Sequence, residues 1–267
     1  MVRHHFSDNS GETGRLIEEL LGGYSVQPKF DPKLVDEMMS KGQLYNPVHN
    51  KNPRLKEQIR LLPDVIKKLL VLAEQHKTTG YTHIQEQIRT NMYKILSYFD
   101  YNFLFESLLR YSINALPDNY TPWEPGPVGA NSTKRNEFIS ELQEKICEQF
   151  NVTDYNKVRF FNVVNTPLDL MFSTDGCFVV DGSLFPDKKR RILPIDITGN
   201  MNKQDKGYNA SGSMVLYIDM KNMDDAELEK YRESFAKQIK ECLLRSTRPD
   251  TMLDGFTSKF DQEEISD

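Results

Sequence analysis

The sequence predicts an α+β protein: an N-terminal helical region followed by a mixed β-sheet flanked by helices. Two observations carry this. Apolar residues recur at helical spacing up to about residue 115. After Asn151 they collect instead into short runs rich in β-branched and aromatic residues, bounded by turn formers.

The helices announce themselves by their starts. Asp31-Pro32 sets an N-cap residue before a proline at the first helical position and opens a helix over 32–39. Asn52-Pro53 repeats the signal, and Leu55, Ile59, Leu62, Ile66, Leu69 and Leu70 follow with the right period. Pro63 is expected to kink or split this helix. Further helices are expected over 82–98 and 100–115, with a short amphipathic one over 14–21. The aromatic residues Tyr93, Tyr98, Phe99, Tyr101, Phe103 and Phe105 read as core rather than as a base-stacking surface.

Four prolines and two glycines between Leu116 and Asn131 exclude a helix or a central strand and make this stretch a linker. Ser132 then caps a helix over 133–150. Strands are expected over 158–164, 168–172, 177–180, 191–198 and 214–220, and a last long helix over 224–244. The polar, acidic tail from Ser258 is expected to fray. The chain thus divides into a helical region with its linker (1–131), an α/β core (132–250) and a tail (251–267).

Composition narrows the function classes. With 38% apolar and 27% charged residues of mixed sign, a sizeable core is expected and full disorder is not. A net charge of -5 speaks against a protein that coats nucleic acid, though a local basic patch can bind phosphates on an acidic chain. The three cysteines (Cys147, Cys177, Cys242) lack CxxC spacing and fit a reducing compartment. No apolar run reaches the ~18 residues of a membrane span, and Met1 to His5 do not begin a signal peptide. A cytoplasmic location is the expectation. The Asn, Lys, Ile and Tyr content suggests an AT-rich genome, of a virus or phage. All five histidines lie in the N-terminal half without metal-type spacing. There is no GxSxG elbow, phosphate loop or GxGxxG.

What remains is aspartate on strands. Asp169, Asp196 and Asp219 each stand in a run of apolar residues, where a carboxylate is costly without a partner. A divalent cation is one such partner. If Asp181-Gly182-Ser183 turns a hairpin, antiparallel pairing sets position 169 opposite position 196, a spacing at which a cation bridges two acids. Asp175-Gly176 is a competing turn that would face Asp169 with Asp181 or Gly182 instead.

At these residues the chain resembles the PD-(D/E)xK nuclease superfamily, over roughly residues 132–248. Thr166-Pro167-Leu168-Asp169 would supply the first acid and Pro194-Ile195-Asp196-Ile197-Thr198 the second. Thr198 stands where the family has lysine, and Lys203 or Lys206 would have to serve from the following segment, where at best a short helix fits. A second registration takes Asp196 as first acid and Asp219-Met220-Lys221 as a full D-x-K. The resemblance implies a restriction-endonuclease-like core and Mg²⁺- or Mn²⁺-dependent hydrolysis of phosphodiester bonds in DNA or RNA. In it Asp169, Asp196 and Asp219 are the candidate metal ligands, and Lys203 or Lys221 the catalytic lysine. The basic run Lys188-Lys189-Arg190-Arg191 would contact phosphates. Of Glu137, Glu141, Glu144 and Glu148, the family would add one as a ligand, but a solvated helix face accounts for them better. The other outcome is a nuclease-like fold without catalysis, serving nucleic-acid binding or assembly. The N-terminal helices would contact substrate, a second copy of the chain or a protein partner.

Overall fold

The computed structural model describes residues 20, 21, 24, 26–122, 137–198, 213–218, 223–245 and 258–261. It is an α+β protein with a small four-stranded mixed sheet flanked by helices.

Helix α1 (Pro32–Ser40) begins as its sequence implies, with the Asp31 carboxylate accepting from the Lys33 N–H and proline in the first turn. Asn52 caps a short 3₁₀ turn, Pro53–Leu55, which leads into α2 (Lys56–Thr78). Helix α2 is not split at Pro63 and runs through it as one helix. The missing N–H costs one rung of the ladder, while Leu62, Ile66, Leu69, Leu70 and Ala73 stay buried along one face. Helix α3 (Thr82–Leu96) packs beside α2. Asp100 caps α4 (Tyr101–Asn114), accepting from the Phe103 N–H at 3.0 Å. Of the aromatic stripe, Phe103 and Phe105 are core, whereas Tyr98 is 81% exposed. Helix α4 is buried from Phe103 through Ile113, polar residues included.

In the second half come α5 (Phe138–Phe150), β1 (Val158–Asn162), α6 (Pro167–Phe172), β2 (Gly176–Val180), β3 (Arg191–Thr198), β4 (Met214–Tyr217) and α7 (Asp225–Arg245). The sheet order is β1-β2-β3-β4. The first three strands pair antiparallel, and β4 lies parallel to β3. Helices α5 and α7 pack on each other and on the sheet. Glu141 and Glu229 face the buried Arg232 between these helices, and Lys145 reaches Glu229 at 3.2 Å.

One expectation fails here. Residues 168–172 are not a strand but most of α6, whose start carries the same signal as α1: Thr166 accepts from the Leu168 N–H and Pro167 follows it. The Asp169 side chain accepts from the Asn165 N–H at 2.8 Å, securing the same helix start. The described start of the polar tail is ordered: Lys259–Asp261 forms a 3₁₀ turn, its Phe260 ring set against Phe161 and Tyr120, while 262–267 lie outside the described residues. The buried apolar residues form one cluster from Leu20 to Leu243, so the described helical half and the sheet share a core.

Candidate functional site

The register decides which acids meet. Gly176 pairs with Ile195 and Val180 with Arg191, so the β2–β3 connection is residues 181–190, including a 3₁₀ turn at Gly182–Leu184. The tight turn at Asp181-Gly182-Ser183 does not form a two-residue hairpin, and position 169 does not face position 196. The residue that comes beside Asp196 is Asp175.

Asp175 lies just ahead of β2 and is bonded on both sides of Asp196. Its N–H donates to the Ile195 carbonyl at 2.8 Å, and its carboxylate accepts from the Ile197 N–H at 2.6 Å. Its own carbonyl accepts from the Val163 N–H at 2.9 Å. Asp175 and Gly176 therefore both meet Ile195, the two-against-one arrangement by which a bulge re-aims a side chain. Asp175 is 4% exposed and Asp196 3%. Two carboxyl-bearing residues are thus buried as neighbours, one just ahead of β2 and one on β3.

Other polar side chains gather at the same end of the sheet. Thr174 and Ser213 hydroxyls stand 2.9 Å apart, both fully buried. Thr198 follows Asp196 by two residues on the same face of β3 and is also buried. Asn162, at the end of β1, donates to the Tyr24 carbonyl at 2.7 Å and accepts from the Val164 N–H at 2.9 Å. The oxygen donors of this set are of the hard kind that Mg²⁺ takes.

Gly176 makes room for the arrangement. A methyl group built there would collide with the Phe160 ring and stand 3.1 Å from the Phe161 carbonyl oxygen. Phe160 cannot swing aside, because it is fully buried against Phe178 and Tyr24 at centroid distances of 5.0 and 5.3 Å. Gly176→Ala is expected to cost about 1–3 kcal/mol by overpacking, read as a lower midpoint of urea unfolding. An unchanged midpoint would contradict the close packing described.

The other site residues expected from sequence fall as follows. Asp169 is in the first turn of α6, half-buried and bonded to the Asn165 N–H. Asp219, Lys203, Lys206 and Lys221 lie outside the described residues. Lys188 and Lys189 are exposed in the β2–β3 connection. Arg191 is buried over the Phe185 ring and pairs with Asp187 at 2.8 Å, and Arg190 reaches Asp261 at 3.2 Å. This basic run ends where β3 begins. At ~3.3 Å per residue, Arg191 is about 17 Å along the strand from Asp196.

Among the described residues no group of three metal-ligating side chains comes together. The Cys147 thiol is pushed up to about 12 by burial, and burial raises that of Cys177 as well, so neither is a ready nucleophile. Sequence reasoning missed a second buried charge cluster, in the helical half. Glu106 and Arg110 pair at 2.8 Å inside α4, and His49 approaches the same carboxylate at 3.4 Å. Among the described residues no helix is long and apolar enough to cross a membrane.

No family model, no curated protein and no solved structure matches the chain.

Proposed function

We propose that this protein is a metal-dependent nuclease of the PD-(D/E)xK kind, with Asp175 and Asp196 as its two acids. The observation that carries the reading is the burial of both residues, with Asp175, just ahead of β2, bonded to the backbone on both sides of Asp196 on β3. The order of elements is in keeping with it: a helix, three antiparallel strands, a parallel fourth strand and a helix. In this reading the first acid is Asp175, not Asp169.

Two carboxylates plus hydroxyls fit a Mg²⁺ ion, which is held by one or two protein carboxylates and keeps water and substrate phosphate as its other ligands. When bound, the ion supplies a water of lowered pKa and neutralises charge on the phosphate. Asp175 is held in place by the Ile197 N–H, so its carboxylate is aimed rather than mobile. Asp196 presents the second carboxylate from the rigid centre of the sheet. Thr198 occupies the lysine position, and its hydroxyl can orient water by hydrogen bonding without adding positive charge. The charge that a lysine brings would come from Lys203, Lys206 or Lys221.

Thr198 also favours a second reading, a nuclease-like fold that binds nucleic acid without cutting it. One assay separates the two. Plasmid, single-stranded DNA and RNA are incubated with Mg²⁺ or Mn²⁺ and the purified chain, alongside Asp175→Asn. Cleavage by the wild type that is lost in the variant is expected. Retention of nucleic acid without cleavage under either metal selects the binding module, and neither binding nor cleavage removes both readings.

A further inference from the structure

We propose that Arg159 and Arg190 form a phosphate-binding site for nucleic acid, and that the chain's own C-terminal segment fills it with Asp261. For the identity of its ligand this rests on the nucleic-acid reading above.

Arg159 projects from β1 and Arg190 immediately precedes β3, yet both guanidinium groups converge on one carboxylate. Arg159 reaches Asp261 at 2.5 Å, and Arg190 reaches it at 3.2 and 3.3 Å. The Ser258 N–H also donates to Asp261, at 2.7 Å. The Arg159 side chain is buried, 9% exposed, and that of Arg190 is 28% exposed, so the clamp opens to solvent on the Arg190 side.

Register sets both arginines on the sheet face that carries Asp196. Arg159 pairs with Val179 and Val179 with Ile192, which shares a face of β3 with Pro194 and Asp196. Arg190 continues the same alternation one step before Arg191. Measured along β3 at ~3.3 Å per residue, Asp196 is about 13 Å from the level of Arg159 and about 20 Å from Arg190. Exposed Lys188 and Lys189 extend the positive surface beyond the clamp.

A phosphodiester and a carboxylate present the same single charge and the same paired acceptor oxygens to arginine. Among the described residues, the tail is held by a three-residue turn, the Phe260 ring near Phe161 and Tyr120, Lys259 bonded to the Leu116 carbonyl and paired with Asp118 at 2.7 Å, and Arg159 reaching the Phe260 carbonyl at 3.4 Å. The sequence beyond adds Glu263, Glu264 and Asp267, a further run of negative charge. A segment of this kind competes with phosphates for the same arginines. If it holds the clamp nine-tenths of the time, it lowers apparent affinity about tenfold.

The test is binding of a fluorescein-labelled single-stranded oligonucleotide in EDTA, by anisotropy, over a salt series. The full chain, Asp261→Asn, Arg159→Gln and the double variant are compared. Asp261→Asn is expected to bind about tenfold more tightly. Arg159→Gln is expected to weaken binding, and to cancel the gain in the double variant. Unchanged or weaker binding by a folded Asp261→Asn makes the contact a structural ion pair only and overturns the proposal.

If that variant does not fold, hydrogen exchange of residues 258–261 in the wild type decides. Faster exchange on saturation with the oligonucleotide is expected, and unchanged protection overturns the proposal. Cleavage with Mg²⁺ is measured separately. Tighter binding without cleavage upholds the clamp and removes the nuclease reading, whereas cleavage with unchanged affinity does the reverse.

Discussion

Asp196→Asn is expected to lower Mg²⁺-dependent phosphodiester cleavage about a thousandfold while leaving the protein at least as stable as the wild type. The first half follows from charge. A metal-held carboxylate pair supplies several kcal/mol of stabilisation to the phosphoryl transition state, and each 1.36 kcal/mol is tenfold in rate. The second half follows from burial. Asparagine keeps the shape of aspartate and its capacity to accept hydrogen bonds, but it brings no carboxylate to be buried at a position 3% exposed. Thermal unfolding with and without Mg²⁺ is the second readout. Wild type is expected to gain Tm with rising Mg²⁺, because an ion that binds only the folded state stabilises it by mass action. The variant is expected to lose that gain. A variant that cuts as fast as wild type, or whose Tm still rises equally with Mg²⁺, would remove Asp196 from the site.

Much of the fold was legible because local signals were strong. Asp31-Pro32 and Asp100 cap helices as their sequence implies, and the runs ending in Val180, Thr198 and Tyr217 are strands. The failures share a cause: tertiary context. Thr166-Pro167 is as good a helix start as Asp31-Pro32, with Asp169 added in the first turn. The five apolar-rich residues after it were too few to show a period, so they read as a strand. Asp175-Gly176 reads locally as a turn, which hid the acid that stands beside Asp196. Register was illegible because the connections 163–175 and 181–190 carry short helices of their own, and two-residue hairpin arithmetic assumes tight turns. The Arg159–Asp261 contact joins residues 102 positions apart, and nothing local announces it. Asp196 needed no register to be singled out: an aspartate within an eight-residue apolar-rich strand is conspicuous wherever its partner lies.

Arg110→Met is expected to destabilise the fold by about 3–5 kcal/mol near neutral pH, and by clearly less at pH 5. Glu106 and Arg110 form an i,i+4 pair that sequence alone would assign to a solvated helix face, yet α4 is buried all round and both side chains lie inside. Burial pushes the Glu106 carboxyl up to about 7, against the opposing pull of Arg110. A carboxyl whose folded pKa lies above its unfolded value of 4.5 binds more protons in the folded state between the two. Stability from this group is therefore greatest below pH 4.5, declines as pH rises through about 7, and is level beyond. Methionine removes the Arg110 pull, so the folded pKa of Glu106 rises further and the decline extends to higher pH. His49, 3.4 Å from the same carboxylate, is held below its usual range by burial and then by Arg110. Without Arg110 it protonates more readily and offers a replacement cation only on the acid side. Both effects make the loss grow with pH. Urea unfolding of wild type and Arg110→Met at pH 5 and pH 8 is the measurement. An equal loss at both pH values would show that Arg110 acts through packing alone, with no electrostatic part in holding Glu106 inside the helical half.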